Sequence, residues 1–270
     1  MGLMLDSAFA PSPATLAKAH GLAGSIRWAG YLHSPNTYHG GWAPAALHLA
    51  AQTLGGCLPV WVAPMGATNA NAGRAGARAA LAQLTAAHLS HVVALDTEYS
   101  ASVKPGALAY AEAFHAEIHA HGGITAQYAN EPFLAKLAKL PQHSASRPNA
   151  PWLAKWIGHG TGVKPPTLAG SWPSSLSSWP LAVRAWQYAN DVPVLGVNTD
   201  VSQYGASFPL SHVVPLTPAK PPVVTPPPVV KPPPVVVPPP VVVPPAAGHV
   251  SIRFADGTLA AGPSPATITT

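Results

Sequence analysis

Strand-like and helix-like segments alternate along about the first 210 residues of this chain. Short apolar strand-like segments cover residues 2–5, 25–32 and 58–63, and Ala- and Leu-rich helical segments cover residues 13–20 and 43–54 between them. The further expected elements are helices over 71–89, 105–121 and 131–140, and strands over 91–95, 123–129, 152–157, 183–188 and 194–201. Seven or eight strands that alternate with helices predict a parallel α/β architecture. Their number and the single-domain length favour a closed TIM-like (β/α) barrel over an open doubly wound sheet.

The composition changes sharply after the expected barrel, which we place at residues 1–212. Residues 213–247 are almost entirely Pro and Val, with repeats such as PPPVVV. Proline lacks the backbone N–H and fixes φ, so this segment is expected to be an extended polyproline II linker. Residues 248–270 are too few to fold alone. Their alternating HVSIRF segment and the following Asp256-Gly257 predict a strand or hairpin that needs a partner.

Composition and charge argue against several classes of function. The net charge is +5, but no run of Lys or Arg accompanies it, so nucleic-acid binding is not expected. No apolar stretch reaches the ~18 to 20 residues that span a bilayer, and the N-terminus lacks the pattern of a secretory signal. No GxGxxG motif follows the first strand, which argues against a dinucleotide cofactor. The one cysteine, Cys57, is expected to be a buried thiol.

Carboxylates are rare, so their positions are informative. Of the nine acidic residues, four lie at or just past the ends of predicted strands: Asp6, Asp96, Glu98 and Asp200. In a (β/α) barrel these ends form the functional face. The others are expected on solvated helix faces or in turns: Glu112, Glu117, Glu131, Asp191 and Asp256.

Asp96 and Glu98 form the sharpest pattern in the sequence. Side chains alternate along a strand, so positions two apart project in the same direction. Two carboxylates that close favour protonation of one of them, which gives an acid beside a carboxylate. Glycosidic bond cleavage uses such a pair. The same spacing also occurs in metal-ligand pairs and in hydrogen-bonded surface turns, although no pair of histidines at ligand spacing accompanies these acids.

Aromatic residues accompany the predicted strands. They are Trp28, Tyr31, Trp61, Tyr99, Tyr128, Trp156, Trp186 and Tyr188. Sugar rings pack their C–H faces on aromatic rings, so a cleft with such side chains suits a polysaccharide. Aromatic side chains fill barrel cores equally well, and both roles remain open for each ring.

Six short motifs occur in a fixed order. They are Asp6-Ser7, SIRWAGYL with Arg27, ALDTE over residues 94–98, AQYAN over 126–130, PWLAKW over 151–156, and AWQYANDVPVLGVNTDVSQY over 185–204. In this order they resemble the motifs of the family 25 glycoside hydrolases, which are lysozyme-type muramidases. They also resemble those of a related glycoside-hydrolase-like domain of actinobacteria and their phages.

The resemblance implies a role for each matching residue. Glu98 is expected to be the general acid, and Asp96 to stabilise the oxocarbenium-like centre or to act with the acetamido group of the substrate. Asp6 and Asp200 are expected to orient the substrate and tune the acid pair. The residues expected to contact the glycan are Arg27, Tyr128, Trp156, Trp186 and Gln187. The resemblance implies neither a metal nor another cofactor.

The expected function is that of a peptidoglycan hydrolase that cleaves β-1,4 glycosidic bonds. Without a secretory signal, it is expected to be made in the cytoplasm and to act at the cell wall after release, or as part of a virion. The alternative is a non-catalytic glycan-binding or structural module of a phage tail, in which residues 248–270 contact virion or tail proteins. Neither reading involves nucleic acid or insertion into a membrane.

Overall fold

The structure is a computed structural model. It describes residues 2–21, 26–34, 41–64, 69–97, 106–159, 185–205, 208–209, 215, 251–253 and 259–261. The chain divides into two compact units, Met1–Lys220 and Pro221–Thr270. Within the first unit, Pro215 forms an isolated antiparallel bridge with Leu89. None of the helices in the described part of the chain combines the length and the apolar character that crossing a bilayer requires.

Eight strands form a closed barrel. The strands are β1 (Gly2–Ser7), β2 (Ile26–Tyr31), β3 (Cys57–Val62), β4 (Val92–Asp96), β5 (Ile124–Ala129), β6 (Ala150–His159), β7 (Ala185–Val194) and β8 (Val197–Tyr204). The described helices are α1 (Pro13–Gly21), α2 (Pro44–Leu54), α3 (Ala70–Ala86), α4 (Ala107–Ala120) and α5 (Glu131–Ala138). The predicted (β/α) barrel is therefore confirmed.

The last strand departs from the expected parallel architecture. Strands β1 to β7 are parallel, whereas β8 is antiparallel to both β7 and β1. A two-residue turn, Leu195 and Gly196, joins β7 to β8, and both residues have positive φ (53° and 81°). Such a turn matches the twist of a hairpin, which reverses the chain without a helix. The expectation that every strand is parallel is therefore wrong for β8.

Local sequence signals explain several helix ends. The side chain of Asn69 accepts a hydrogen bond from the Ala72 N–H at the start of α3, and Asn130 does the same for the Phe133 N–H of α5. These caps satisfy donors that have no partner within the helix. Gly55 directly follows the last residue of helix α2. Its φ of 67° is the left-handed conformation that glycine adopts without strain.

Alternation along the strands builds two apolar layers. One set of side chains fills the barrel interior and includes Met4, Ala29, Ala94 and Trp152. The other set packs outward against the helices and includes Leu5, Trp28, Leu95, Leu84 and Phe114. Because Met4 and Ala94 face inward, Asp6 and Asp96, two residues further along, face the same way at the carboxyl ends of β1 and β4.

Several sequence expectations concern residues away from the barrel mouth. Cys57 is buried, as expected, and burial raises the pKa of its thiol to about 12. Glu117 on α4 forms an ion pair with Arg78 on α3 at 2.7 Å. In the second unit, β9 (Ser251–Arg253) and β10 (Leu259–Ala261) pair antiparallel, in agreement with the predicted hairpin.

Candidate active site

Three carboxylates meet at one rim of the barrel. Asp6 and Asp96 are the inward-facing residues at the carboxyl ends of β1 and β4, and both are buried. Asp200 is the direct partner of Asp6 in the antiparallel pairing of β1 with β8. Because β8 runs in the opposite direction, a residue in its first half lies at the same rim as the last residues of β1. The antiparallel strand thus brings the third carboxylate to the site.

Tyr31 lies among these acids. Its Oη donates a hydrogen bond to Asp6 Oδ1 at 3.0 Å. Burial raises the pKa of Tyr31 well above its ordinary value of 10, and the charges of Asp6, Asp96 and Asp200 raise it further. The phenol therefore stays neutral at physiological pH and serves as a hydrogen-bond donor within a cluster of negative charge.

Asp200 is held by two donors. The side chain of Gln187 donates from Nε2 to Asp200 Oδ2 at 2.6 Å, and the backbone N–H of Asp191 donates to Oδ1 at 2.9 Å. Burial raises the pKa of Asp200 from 3.8 to about 6. The charge of Asp191 raises it as well, while the two hydrogen bonds lower it. A carboxyl group with such a pKa exchanges its proton close to neutral pH.

Gln187 also connects Asp200 to the next polar side chain. Tyr128 donates a hydrogen bond from its hydroxyl to Gln187 Oε1. Tyr128 is the register partner of Asp96 on the neighbouring strand and packs against Trp152, with ring centroids 4.7 Å apart. Tyr128 and Gln187, both expected at the site, thus link the Asp96 side of the rim to Asp200.

Asp6 and Asp200 open into a cleft of about 230 Å³. It is lined by Asp6, Ser7, Ala8, Phe9, Tyr31, Asp191, Val197, Asn198 and Asp200. Two of these residues, Phe9 and Asn198, were not among the residues that the sequence predicted at the site. The cleft therefore extends from the barrel rim onto the hairpin formed by β7 and β8.

Asp191 reaches the cleft from within β7, although the sequence suggested a turn. The pairing of β7 with β8 shifts register between Ala189 and Val192, and Asp191 has a φ of 55°. A β-bulge of this kind redirects side chains and frees a backbone N–H. Here the N–H is directed to Asp200, and the Asp191 carboxylate accepts from Asn198 Nδ2 at 2.9 Å. An Asn-Asp pair between the two predicted strands was the available signal, because both residues tolerate positive φ.

Buried polar contacts also support the end of β4 from behind. Gln127 on β5 donates from Nε2 to Leu95 O and to Thr97 Oγ1, each at 3.0 Å. Its Oε1 lies 2.9 Å from Nε2 of His115 on α4. Burial lowers the pKa of His115 to about 3, so the imidazole is neutral and donates this hydrogen bond. The buried side-chain amide of Gln127 thus holds both sequence neighbours of Asp96, Leu95 and Thr97, in place.

The structure does not bring every expected residue to the cleft, whose lining includes Asp6 and Asp200 but not Asp96, Tyr128 or Gln187. Trp186 is buried on the helix-facing side of β7, where its indole N–H donates to Lys155 O at 2.7 Å, because it alternates with the inward Gln187. Arg27 lies four residues before Tyr31, toward the opposite end of β2, and donates to Ile26 O. Glu98 and the side chain of Trp156 lie outside the described residues.

The described residues include no group of three or more His, Cys, Asp or Glu arranged to hold a metal ion. Asp256, which we expected in a turn, lies outside the described residues. The described site consists of carboxylates and of the hydroxyl, amide and backbone groups that donate hydrogen bonds to them.

Comparison with known proteins gives similarity in structure only. No family model and no curated protein matches the chain. An uncharacterised protein from B. stearothermophilus has a TM-score of 0.62 at 16% identity, over 79% of this chain and 100% of that one. The catalytic domain of endolysin ply40 from bacteriophage P40 of Listeria monocytogenes has a TM-score of 0.50 at 13% identity, over 76% of this chain and 94% of the domain.

These similarities establish a shared fold. The chain is a (β/α)-barrel protein with a carboxylate cleft at the carboxyl rim of its strands. Its barrel is similar to that of a phage endolysin catalytic domain, which confirms the fold that the resemblance to family 25 glycoside hydrolases implied.

Proposed function

We propose that this protein is a lysozyme-type peptidoglycan hydrolase that cleaves the β-1,4 bond between N-acetylmuramic acid and N-acetylglucosamine. The observation that carries the proposal is the convergence of Asp6, Asp96 and Asp200 around the neutral phenol of Tyr31. Bringing acids together out of water is costly, and groups with perturbed proton affinities are concentrated at functional sites. The similarity in fold to an endolysin catalytic domain supports the same class of chemistry.

In the proposed reaction, Glu98 protonates the oxygen of the departing sugar while the bond from that oxygen to the anomeric carbon breaks. Asp96 stabilises the positive charge at the anomeric carbon, either directly or by orienting the substrate acetamido group. Water then attacks this carbon and returns a proton to Glu98. Asp6 and Asp200 orient the substrate, and Tyr31 and Gln187 hold these two acids in place by donating hydrogen bonds.

The proposed substrate also defines the place of action. Peptidoglycan strands lie outside the cytoplasm, so the protein acts after release from the cell that makes it or as part of a virion. In the second case, residues 248–270 are the proposed contact to virion or tail proteins, since the β9–β10 pair is too small to form a core of its own.

The test is release of new reducing ends from purified peptidoglycan by the full chain. Mass spectrometry after borohydride reduction identifies which sugar carries the new end. The variants Glu98→Gln and Asp96→Asn should lower the rate at least about 100-fold. Glu112→Gln on helix α4 is the matched control and should keep the wild-type rate.

Three results would contradict the proposal. Binding of peptidoglycan without release of reducing ends would make the protein a glycan-binding module. Turnover that survives both Glu98→Gln and Asp96→Asn would place the chemistry elsewhere. New ends on N-acetylglucosamine only would make it a glucosaminidase.

A further inference from the structure

A single phenyl ring stands exposed beside the carboxylates. Phe9 has 75% of its surface accessible, and no other large apolar side chain in the described ranges is exposed. It lies two residues after β1 and lines the same cleft as Asp6 and Asp200. Water contact with a ring of this size is unfavourable, so a ligand that covers the ring would gain from the apolar contact.

The backbone of Phe9 is anchored to the barrel core. Its carbonyl oxygen accepts a hydrogen bond from Ser7 Oγ at 2.8 Å. The Ser7 hydroxyl in turn accepts from Trp28 Nε1 at 3.0 Å, and the Ser7 carbonyl accepts from Trp42 Nε1 at 3.2 Å. Ser7 and both tryptophans are buried. Because the backbone is already fixed, only the side chain has to be ordered when a ligand packs against the ring.

The lining of the cleft combines two kinds of chemistry. Phe9, Ala8 and Val197 contribute apolar surface, whereas the bulge and hairpin residues Asp191 and Asn198 contribute carboxylate and amide groups. A pyranose has the complementary pattern, with C–H bonds on its face and hydroxyl or acetamido groups at its edge. Aromatic rings receive such faces, and a few fixed polar groups orient the edge.

We propose that Phe9 is a stacking platform for one pyranose ring of the glycan, and that Asp191 and Asn198 bind the polar edge of the same sugar. This inference rests on the proposed function for its substrate class. A protein partner would need a larger apolar patch than one ring, and a lipid surface would repel the adjacent acids. The carboxylate-lined cleft therefore favours a sugar as the group that covers Phe9.

The test measures binding separately from turnover. The hexamer of β-1,4-linked N-acetylglucosamine is titrated by calorimetry into the full chain carrying Glu98→Gln, alone and combined with Phe9→Ala or Phe9→Trp. Phe9→Ala should weaken binding about tenfold or more, as loss of one buried aromatic contact does at interfaces. Phe9→Trp keeps a ring face and should bind within about threefold of the parent. Melting temperatures check that each variant is folded.

Kinetics on peptidoglycan give the second measurement, with the Phe9 variants in the otherwise wild-type chain. Phe9→Ala should raise KM and leave kcat within about twofold, because the ring contributes uniform binding. If Phe9→Ala changed neither the affinity in the Glu98→Gln background nor KM in the wild-type background, the stacking proposal would be wrong and the proposed hydrolase would be unaffected. Phe9-dependent binding without turnover would overturn the proposed hydrolase and leave the platform. Absence of binding and of turnover in the parent would overturn both.

Discussion

Asp6 and Asp200 lie directly opposite each other in the antiparallel pair of β1 and β8, so two acids from distant parts of the sequence share one rim. Like charges opposite each other destabilise a sheet. Each acid has donors of its own: Tyr31 Oη for Asp6, and Gln187 Nε2 with the Asp191 N–H for Asp200. The barrel tolerates the pair because these donors replace the water that the acids lose.

The raised pKa of Asp200 predicts a specific dependence of stability on pH. Between pH 3.8 and about 6 the folded state holds a proton that the unfolded state has released, so this residue lowers stability as pH rises through that window. Asp200→Asn removes the effect. The free energy of unfolding of the variant relative to wild type should therefore increase by about 2–3 kcal/mol from pH 4 to pH 7. Urea denaturation at several pH values measures the free energy of unfolding of both proteins. A difference between variant and wild type that does not change with pH would contradict the prediction.

Tyr31→Phe tests the central phenol. The substitution keeps the ring but removes the donor to Asp6 Oδ1, so the acid is held less well in the cleft. We expect kcat on peptidoglycan to fall about 10- to 100-fold, because a small displacement of a positioned group can lower the rate by about 100-fold. Tyr188→Phe is the control, since Tyr188 packs on the helix-facing side of β7. Equal losses in both variants would argue against a special role for Tyr31.

Gln127→Leu tests the buried amide behind β4. It removes the donor to Leu95 O and Thr97 Oγ1 and the acceptor for His115, all in the protein interior. The expected loss of stability is about 2–4 kcal/mol. Gln83→Leu is a matched control, because the Gln83 side-chain amide also forms hydrogen bonds, both to the His33 backbone, but at the surface. That variant should lose less than about 1 kcal/mol, and equal losses in urea would contradict the assignment.

Gly73→Ala tests the close packing of helices α3 and α4. A Cβ at this position would overlap the carbonyl oxygen of Tyr110 and lie 3.0 Å from its carbonyl carbon. Backbone cannot rotate away, so the helices must separate, at a cost of about 1–3 kcal/mol. The control is Gly21→Ala in α1, where a Cβ has nothing within 4 Å and should be neutral or slightly stabilising. A neutral Gly73→Ala in urea denaturation would show that the helices are packed less closely.

The sequence predicted the strands, and the acids at their ends, for a simple reason. Apolar strand-like runs are a local property, so Asp6 and Asp96 could be placed at strand ends, whereas their inward direction comes from the structure. The direction of β8 was not predictable in the same manner. Its turn, Leu195-Gly196, lacks the Asn-Gly or Asp-Gly pair that usually marks such hairpins.

The residues that sequence reasoning missed depend on contacts between distant segments. Gln127 lies on the helix-facing side of β5, where an apolar side chain is the ordinary choice, and only the neighbouring His115 and Thr97 make an amide favourable there. Phe9 was missed because a phenylalanine next to an apolar strand is expected to be buried. Trp186 was expected at the cleft from the resemblance to the family motif, but it lies on the helix-facing side of β7 because successive strand residues face opposite ways.

Because β8 closes the barrel and carries Asp200, the complete cleft can form only after this strand has been synthesised. A nascent chain that still lacks residues 197–204 has an open seam beside β1 and no Asp200 opposite Asp6. Asp200, the last carboxylate of the site in chain order, is therefore synthesised only after the other barrel strands. Until that strand emerges, the growing polypeptide carries most of the barrel but not its complete set of acids.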